Sequence, residues 1–509
     1  MGQWDGTELT LPEVAAATAQ KSRQRLALTI LFHPDGERIG ERALLPQRRP
    51  LELARQSPLF TSLRGTGADQ ALLDQYLSRS PITICRSCQG VELSVPAGGS
   101  SLLINGACVE SRVRLADSEL DAGVLMSLSH RVVLLLHRCE LIDELPQDCG
   151  LVGESDALQQ VRSMIMRVAA APTPVLLLGE SGTGKELVAR AIHDHSARCA
   201  HPLVAVNMAA IPGELAPAEL FGVRAGAFTG ADTDRDGYFR EADGGTLFLD
   251  EIGACTSSVQ AQLLRALEQG EIQSPGGSTE QVDVRVLAAT DADLEGSEGG
   301  FSTALRHRLG GFEIQLPPLR ERREDLGRLL QYFLPSSLLQ AAAVSPRMVA
   351  QWVMLVQQLA DYNWPGNVRE LANFCQQISI ASGAHDQLLV PANIYAALSS
   401  QRSSAGKRAR NNPKPATDLS DNEVREAMMA AQWEISGAAR DLQVSRQALY
   451  RRIQLTPGLR VTADIPAVEI EAAYHECKGA VDAAAMHLQV SRAALRRRWR
   501  AMELIPRDY

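Results

Sequence analysis

The chain has 509 residues, room for about three domains at roughly 150 residues each. Its hydrophobic share of 45% fits a globular protein, and apolar runs such as 132–136 fall far short of the roughly 18 residues that cross a bilayer. With no secretory pattern at its start, the expected compartment is the cytoplasm and no membrane partner is expected. A formal charge of −9 excludes nonspecific coating of nucleic acid but leaves room for local basic faces. Nine cysteines, an odd number, make no disulfide framework. The isolated Cys85/Cys88 pair reads as strand cysteines, with half of a metal or redox site as the alternative.

Residues 1–147 carry short apolar or alternating runs at 26–31, 81–84, 91–95 and 132–136, broken by Gly, Pro and Asp, which predicts a β-rich domain. Residues 148–318 alternate apolar strands, at 175–178, 203–206, 247–249 and 284–289, with amphipathic helices. That alternation predicts an α/β domain whose parallel sheet is covered on both faces. Residues 319–399 read as helices alone, a lid. Residues 400–418 are rich in Ser, Gly, Lys, Arg, Asn and Pro and read as a flexible basic linker. Residues 419–509 read as all-α.

The run Gly179-Glu180-Ser181-Gly182-Thr183-Gly184-Lys185 follows the first α/β strand and opens a helix. Its glycines let backbone N–H groups close on phosphate oxygens, Lys185 adds a point charge, and the helix N-terminus adds its positive dipole end. Glu186 stands where the general pattern has the Ser or Thr that reaches Mg²⁺. Asp250 and Glu251 end the strand 246–249, which places Asp250 to hold Mg²⁺ and Glu251 to polarise an attacking water. Between these motifs lies Gly226-Ala227-Phe228-Thr229-Gly230-Ala231. It has no ionisable group, and its glycines permit a tight mobile loop with Phe228 as an apolar anchor and Thr229 as a hydrogen-bonding hydroxyl.

These motifs, with 244–252 and Trp364-Pro365-Gly366-Asn367-Val368-Arg369-Glu370-Leu371, resemble those of bacterial enhancer-binding proteins, the AAA+ ATPases that activate sigma-54 RNA polymerase. The resemblance implies ATP and Mg²⁺ as cofactors, a homo-oligomeric ring, expected to be a hexamer, and contact with sigma-54 through 226–231. It further implies that Asn207 holds Glu251 inactive until the target engages, that Arg308 acts on a neighbouring subunit's nucleotide with Arg306 in reserve, and that Arg369 reads the nucleotide state. The chain departs from the family at Ser302, where an arginine is usual, and at Asp291, where asparagine is usual.

A repeat closes the chain: 438–452 recurs at 484–498, an offset of 46 residues. Each copy resembles the Fis-type helix-turn-helix that ends enhancer-binding proteins, with Gln443 and Gln489 where glycine is common. The DNA-contacting set would be Ser445, Arg446, Gln447, Tyr450, Arg451 and Arg452 in the first unit and Ser491, Arg492, Arg496 and Arg497 in the second. Two basic hairpins used for dimerisation are the alternative.

The first domain is similar to a forkhead-associated domain, a β-sandwich that reads phosphothreonine, through 38–42, 74–79 and 104–106. Arg42, Ser78, Arg79 and Asn105 would then bind the phosphate and peptide of a phosphothreonine protein. Glu41 stands where the phosphate-binding arginine is expected, and Pro81 where a histidine is usual.

The combined reading is a cytoplasmic sigma-54-dependent activator that binds enhancer DNA and hydrolyses ATP to remodel the closed promoter complex. A DNA-binding regulator with impaired ATPase, and an AAA+ remodeller of another protein, are the alternatives.

Overall fold

The computed structural model describes residues 24–63, 68–141, 145–227, 233–291, 294, 301–383 and 388–399, and between 421 and 504 chiefly 421–431, 465–477, 480–488 and 492–502. The chain divides into two units, Met1–Leu398 and Ser399–Tyr509.

The first unit opens with two antiparallel sheets. One contains β1 (Gln24–Phe32), β2 (Arg42–Leu44), β6 (Leu102–Ile104), β7 (Ala107–Val109), β9 (Val124–Leu128) and β10 (Val132–Glu140), in the order β2-β1-β10-β9-β6-β7. The other contains β3 (Leu51–Leu53), β4 (Ile82–Ser87), β5 (Gly90–Ser94) and β8 (Arg112–Ala116), in that order. Helix α1 (Asp117–Ala122) links β8 to β9.

Side chains alternate across a strand, and here both faces of the larger sheet are covered. Leu26, Leu28, Ile30, Leu134 and Leu136 enter the core between the sheets. Leu31, Phe32, Leu125, Val133 and Leu135 enter a second core with Trp352, Leu329 and Leu330 from the helical lid. The unbroken apolar run 132–136 therefore has a partner on each side, as such runs require.

The α/β part comprises α2 (Asp156–Ala169), β11 (Val175–Leu178), α3 (Lys185–Asp194), β12 (Leu203–Asn207), α4 (Ala216–Phe221), α5 (Tyr238–Glu241), β13 (Thr246–Asp250), α6 (Ser257–Gln269), β14 (Glu271–Gln273), β15 (Thr279–Gln281), β16 (Arg285–Thr290), α7 (Thr303–Leu309) and β17 (Glu313–Gln315). Its parallel sheet runs β12-β13-β16-β11-β17. Leu176 faces the core of α4, α6 and α7, whereas Val175 and Leu177 face that of α2 and α3, so helices cover both faces. The fifth strand, β17, and the β14–β15 hairpin carry too few apolar residues to announce themselves. The lid is α8 (Leu326–Phe333), α9 (Ser336–Val344), α10 (Pro346–Ala360) and α11 (Asn367–Ser382), gathered around the buried Trp352 and Trp364.

The second unit contains α12 (Asp421–Ala430), α13 (Ala467–Glu476), α14 (Val481–His487) and α15 (Arg492–Ala501). It holds two small cores, and their members obey the 46-residue repeat: Val424 with Ile470, Ala438 with Ala484, Leu449 with Leu495 and Ile453 with Trp499. Among the described residues no helix is long and apolar enough to cross a membrane.

Candidate nucleotide site

The loop 179–185 joins β11 to α3. Gly182 has a φ of +79°, and a Cβ there would meet the Gly366 carbonyl oxygen at 2.4 Å, so only glycine admits the lid this close. Gly184 caps α3 at a φ of +106°. Lys185, the first residue of α3, is buried and donates from Nζ to the Gly179 carbonyl at 2.8 Å. Glu186, one position on, is exposed.

Lid-side residues grip this loop. Arg369 donates from Nη1 to Ser181 Oγ at 3.0 Å. Arg320 forms a two-pronged pair with Glu180, at 2.6 and 2.8 Å. Asn367, fully buried at a φ of 50°, donates to Glu180 Oε2 and the Ser181 carbonyl and accepts from the Leu319 N–H. The Arg320 bonds first, then the Asn367 bond, hold the Glu180 carboxyl down to about 2. The sequence carries no signal for Arg320 and names Asn367 only within the lid motif, without a role; Asn tolerates the left-handed backbone it adopts here.

Beside the loop lies an apolar cavity of about 120 Å³, lined by Leu151, Val152, Leu187, Leu329, Phe333 and Val368 among others. Its walls come from the segment before α2, from α3 and from the lid. A flat heteroaromatic base suits such walls. The sequence assigns none of these residues to a base pocket, and names Val368 only within the lid motif, since an apolar side chain in a base pocket resembles one in a core.

Parallel strand order sets the acidic edge. Asn207 and Asp250 are paired neighbours at the ends of β12 and β13. Asp250 Oδ1 accepts from the Glu251 N–H at 3.0 Å, and Glu251 adopts a left-handed φ of 54°. Burial first, then the Asp291 carboxylate, raises the Glu251 carboxyl above its ordinary range, with Lys185 opposing. Asp250 fits Mg²⁺, which is held by one or two carboxylates together with substrate phosphates. Asn207 Oδ1 accepts from the Ala209 N–H at 2.9 Å, so here its side chain caps the next turn and is not joined to Glu251.

Ser302 and Arg308 both lie on α7. Ser302 is the N-cap: its Oγ accepts from the Leu305 N–H at 3.3 Å, and its own N–H donates to Gln260 Oε1 at 2.7 Å. A serine serves this position well where an arginine could not. Arg308 is exposed and donates to the Leu267 carbonyl at 3.0 and 3.2 Å, while Arg306 pairs with Glu313 at 3.6 Å.

Of 226–231, only Gly226 and Ala227 are described; Phe228, Thr229, Gly230 and Ala231 lie outside the described residues. The stem beneath them is built firmly. Val223 and Arg235 pair across it, Arg224 pairs with Asp234 and Glu280, and Arg224 N–H donates to the Pro275 carbonyl in the β14–β15 hairpin.

In the β-sandwich, Ser78 is partly exposed, Arg79 and Asn105 are exposed, and Asn105 Oδ1 accepts from the Leu125 N–H. Arg42 corrects the expectation. It is buried beside Asp156 at 3.7 Å, with its guanidinium bonded to Thr29 Oγ1 and the Glu154 carbonyl, so it serves the junction with α2.

In the second unit Arg492 and Arg496 are exposed on α15, while Arg452 pairs with Asp421 at 2.5 Å. Ser445, Arg446, Gln447, Tyr450, Arg451 and Ser491, and the side chain of Arg497, lie outside the described residues.

A five-stranded parallel sheet, a phosphate loop gripped by a helical lid and an acidic strand edge define a nucleotide-binding module of the AAA+ class. Residues 151–315 match the family described as the Sigma-54 interaction domain, and residues 320–411 the AAA+ ATPase lid domain. The middle of the chain thus matches a sigma-54 interaction domain followed by an AAA+ lid, an ATPase module. The lid match runs past residue 399 into the stretch read as linker. The chain is 46% identical over 241 residues to the DNA-binding transcriptional regulator NtrC of Klebsiella pneumoniae, covering 47% of this chain and 51% of that protein. It is 49% identical over 229 residues to the transcriptional regulatory protein ZraR of Klebsiella oxytoca, covering 44% and 51%. It spans about half the length of the curated relatives it matches. A crystal structure of NtrX from Brucella abortus in complex with ADP aligns over 61% of this chain and 70% of that one, at 31% identity and a TM-score of 0.42.

Proposed function

We propose that the protein is a cytoplasmic sigma-54-dependent transcription activator that binds enhancer DNA and couples ATP hydrolysis to remodelling of the sigma-54 polymerase closed complex. The match of 151–315 to the Sigma-54 interaction domain is the observation that carries this reading. The backbone of 179–185 and Lys185 hold the phosphates, the apolar cavity takes the base, and Asp250 holds Mg²⁺, which neutralises phosphate charge when bound. Glu251 orients and polarises the attacking water. Arg308, exposed on α7, supplies charge to the nucleotide of a neighbouring subunit in a ring, proposed to be a hexamer, with Asn207 as the restraint on Glu251 once its cap is released. Residues 226–231 contact sigma-54 from the stem that Arg224 braces.

The repeat and the two matched helical cores support a tandem helix-turn-helix at 419–509; its proposed DNA-contacting residues are Ser445, Arg446, Gln447, Tyr450, Arg451 and Arg452 in the first unit and Ser491, Arg492, Arg496 and Arg497 in the second. The two-sheet architecture supports a forkhead-associated-like sandwich. Any phosphothreonine site there rests on Ser78, Arg79 and Asn105, without Arg42. The impaired-ATPase alternative rests on Ser302, which stands where an arginine is usual and whose side chain caps α7 here.

Mapping chromosomal binding sites, with transcription measured in the presence and absence of sigma-54, tests the reading. Bound promoters whose transcription does not depend on sigma-54 would overturn it.

A further inference from the structure

The short segment 319–325 touches the phosphate loop, the start of α2, the β-sandwich and the lid. Arg320 holds Glu180 in the phosphate loop, and the buried Arg322 donates to the Thr183 carbonyl at 3.2 Å. Asp325 is buried and accepts from the Glu154 and Ser155 N–H groups and from Ser155 Oγ, which fixes the start of α2. Between them Arg323 faces the other way. Its Nη1 donates to the Ala122 and Gly123 carbonyls of the β-sandwich, each at 2.9 Å, its Nε to the Ala360 carbonyl and its Nη2 to Asp361 in the lid.

Arg323 is mostly buried, and a guanidinium taken from water needs acceptors around its fork. The end of α1 supplies two, carbonyls that a helix C-terminus leaves without internal partners. The contact continues along α8. Gly327 lies so close to β1 that a Cβ would meet the Leu31 carbonyl oxygen at 2.5 Å, Arg328 covers Gly40, and Gln331 donates to the Gly36 carbonyl. Phe32 stacks on Trp352 at 6.1 Å. A shared apolar core with glycine at the closest approach is packed like the inside of one domain.

We propose that the β-sandwich is a permanent extension of the lid, and that Arg323 is a positioning residue through which the sandwich sets the posture of the phosphate loop. Because 319–325 bonds the loop on one side and the sandwich on the other, nucleotide and sandwich are linked, and such a linkage is reciprocal. The sandwich does not leave the lid in any nucleotide state; it moves with it.

This inference rests on the nucleotide-site reading, and one experiment separates the two. Hydrogen exchange is followed by mass spectrometry on the full chain, with and without a slowly hydrolysed ATP analogue. In the wild type the analogue is expected to slow exchange at 179–190 and also at 117–128 in the sandwich. Arg323→Ala is expected to keep the first effect, lose the second and bind the analogue about tenfold more weakly, within the range of ordinary couplings; Arg323→Lys, which keeps the charge but not the fork, should fall between. Protection confined to 179–190 in the wild type, or unaltered sandwich protection in Arg323→Ala, overturns the inference. No protection at 179–190 is failure of the nucleotide reading, and the unliganded protein then decides. There Arg323→Ala must speed exchange in both the sandwich and the phosphate loop; acceleration in the sandwich alone overturns the coupling.

Discussion

Arg320 holds Glu180 through two parallel hydrogen bonds, at 2.6 and 2.8 Å, so a lid-side guanidinium grips the phosphate loop by its first side chain. The Glu180 carboxyl is depressed from 4.5 to about 2. A depressed carboxylate contributes its full stabilisation above the ordinary value of 4.5 and loses it as pH falls through about 2. The pair is half exposed, so its coupling should be small, about 0.2–1 kcal/mol. A double-mutant cycle of Arg320→Ala and Glu180→Gln on ATP affinity should give the same coupling at about pH 7 and about pH 4. A coupling largely gone at pH 4 would mean that Glu180 titrates normally.

Lys185→Ala should abolish nucleotide binding, whereas Glu251→Gln should keep it and lose turnover by at least about 100-fold, the usual scale for a positioned base. Calorimetric titration and phosphate release measure the two separately. Undiminished turnover in Glu251→Gln would remove the role assigned to that carboxylate.

Ser302→Arg restores the usual family residue and removes the N-cap of α7. The loss should be about 1 kcal/mol, or roughly 2–4 °C in the melting temperature of a domain this large. Differential scanning calorimetry reads it. An unchanged or higher melting temperature, with higher ATPase activity, would show that Ser302 is a damaged catalytic position.

Truncation after about residue 457 removes the second repeat unit. It should shorten the footprint on enhancer DNA and flatten the salt dependence of binding by roughly one unit of log–log slope per lost phosphate contact. Footprinting and salt titration should be run on the same DNA. An unchanged footprint and slope would assign the second unit to dimerisation.

Local pattern made much of this architecture legible. The apolar runs at 175–178, 203–206 and 247–249 lie in β11, β12 and β13, the run 284–289 begins one residue before β16, and the glycines fall between β11 and α3, whose first residue is Lys185. The 46-residue repeat is mirrored in two small cores because its apolar positions recur with its basic ones. What escaped notice depends on contacts between distant segments. Asn367, Arg320 and Arg323 look like ordinary polar residues until the lid closes over 179–185. Arg42 sits in a motif that suggested phosphate binding, yet its partners, Glu154 and Asp156, lie over a hundred residues away. The run 132–136 did carry a signal, because an apolar strand without alternation needs cover on both faces.

If ATP hydrolysis by this chain drives open-complex formation by sigma-54 polymerase, as proposed, an in vitro assay of heparin-resistant complexes on an enhancer-bearing sigma-54 promoter will show it. The wild type with ATP should form open complexes, Glu251→Gln should form none, and Thr229→Ala should form none while retaining much of its ATPase activity. Open complexes formed by Glu251→Gln, or by the wild type without nucleotide, would show that hydrolysis does not drive the step.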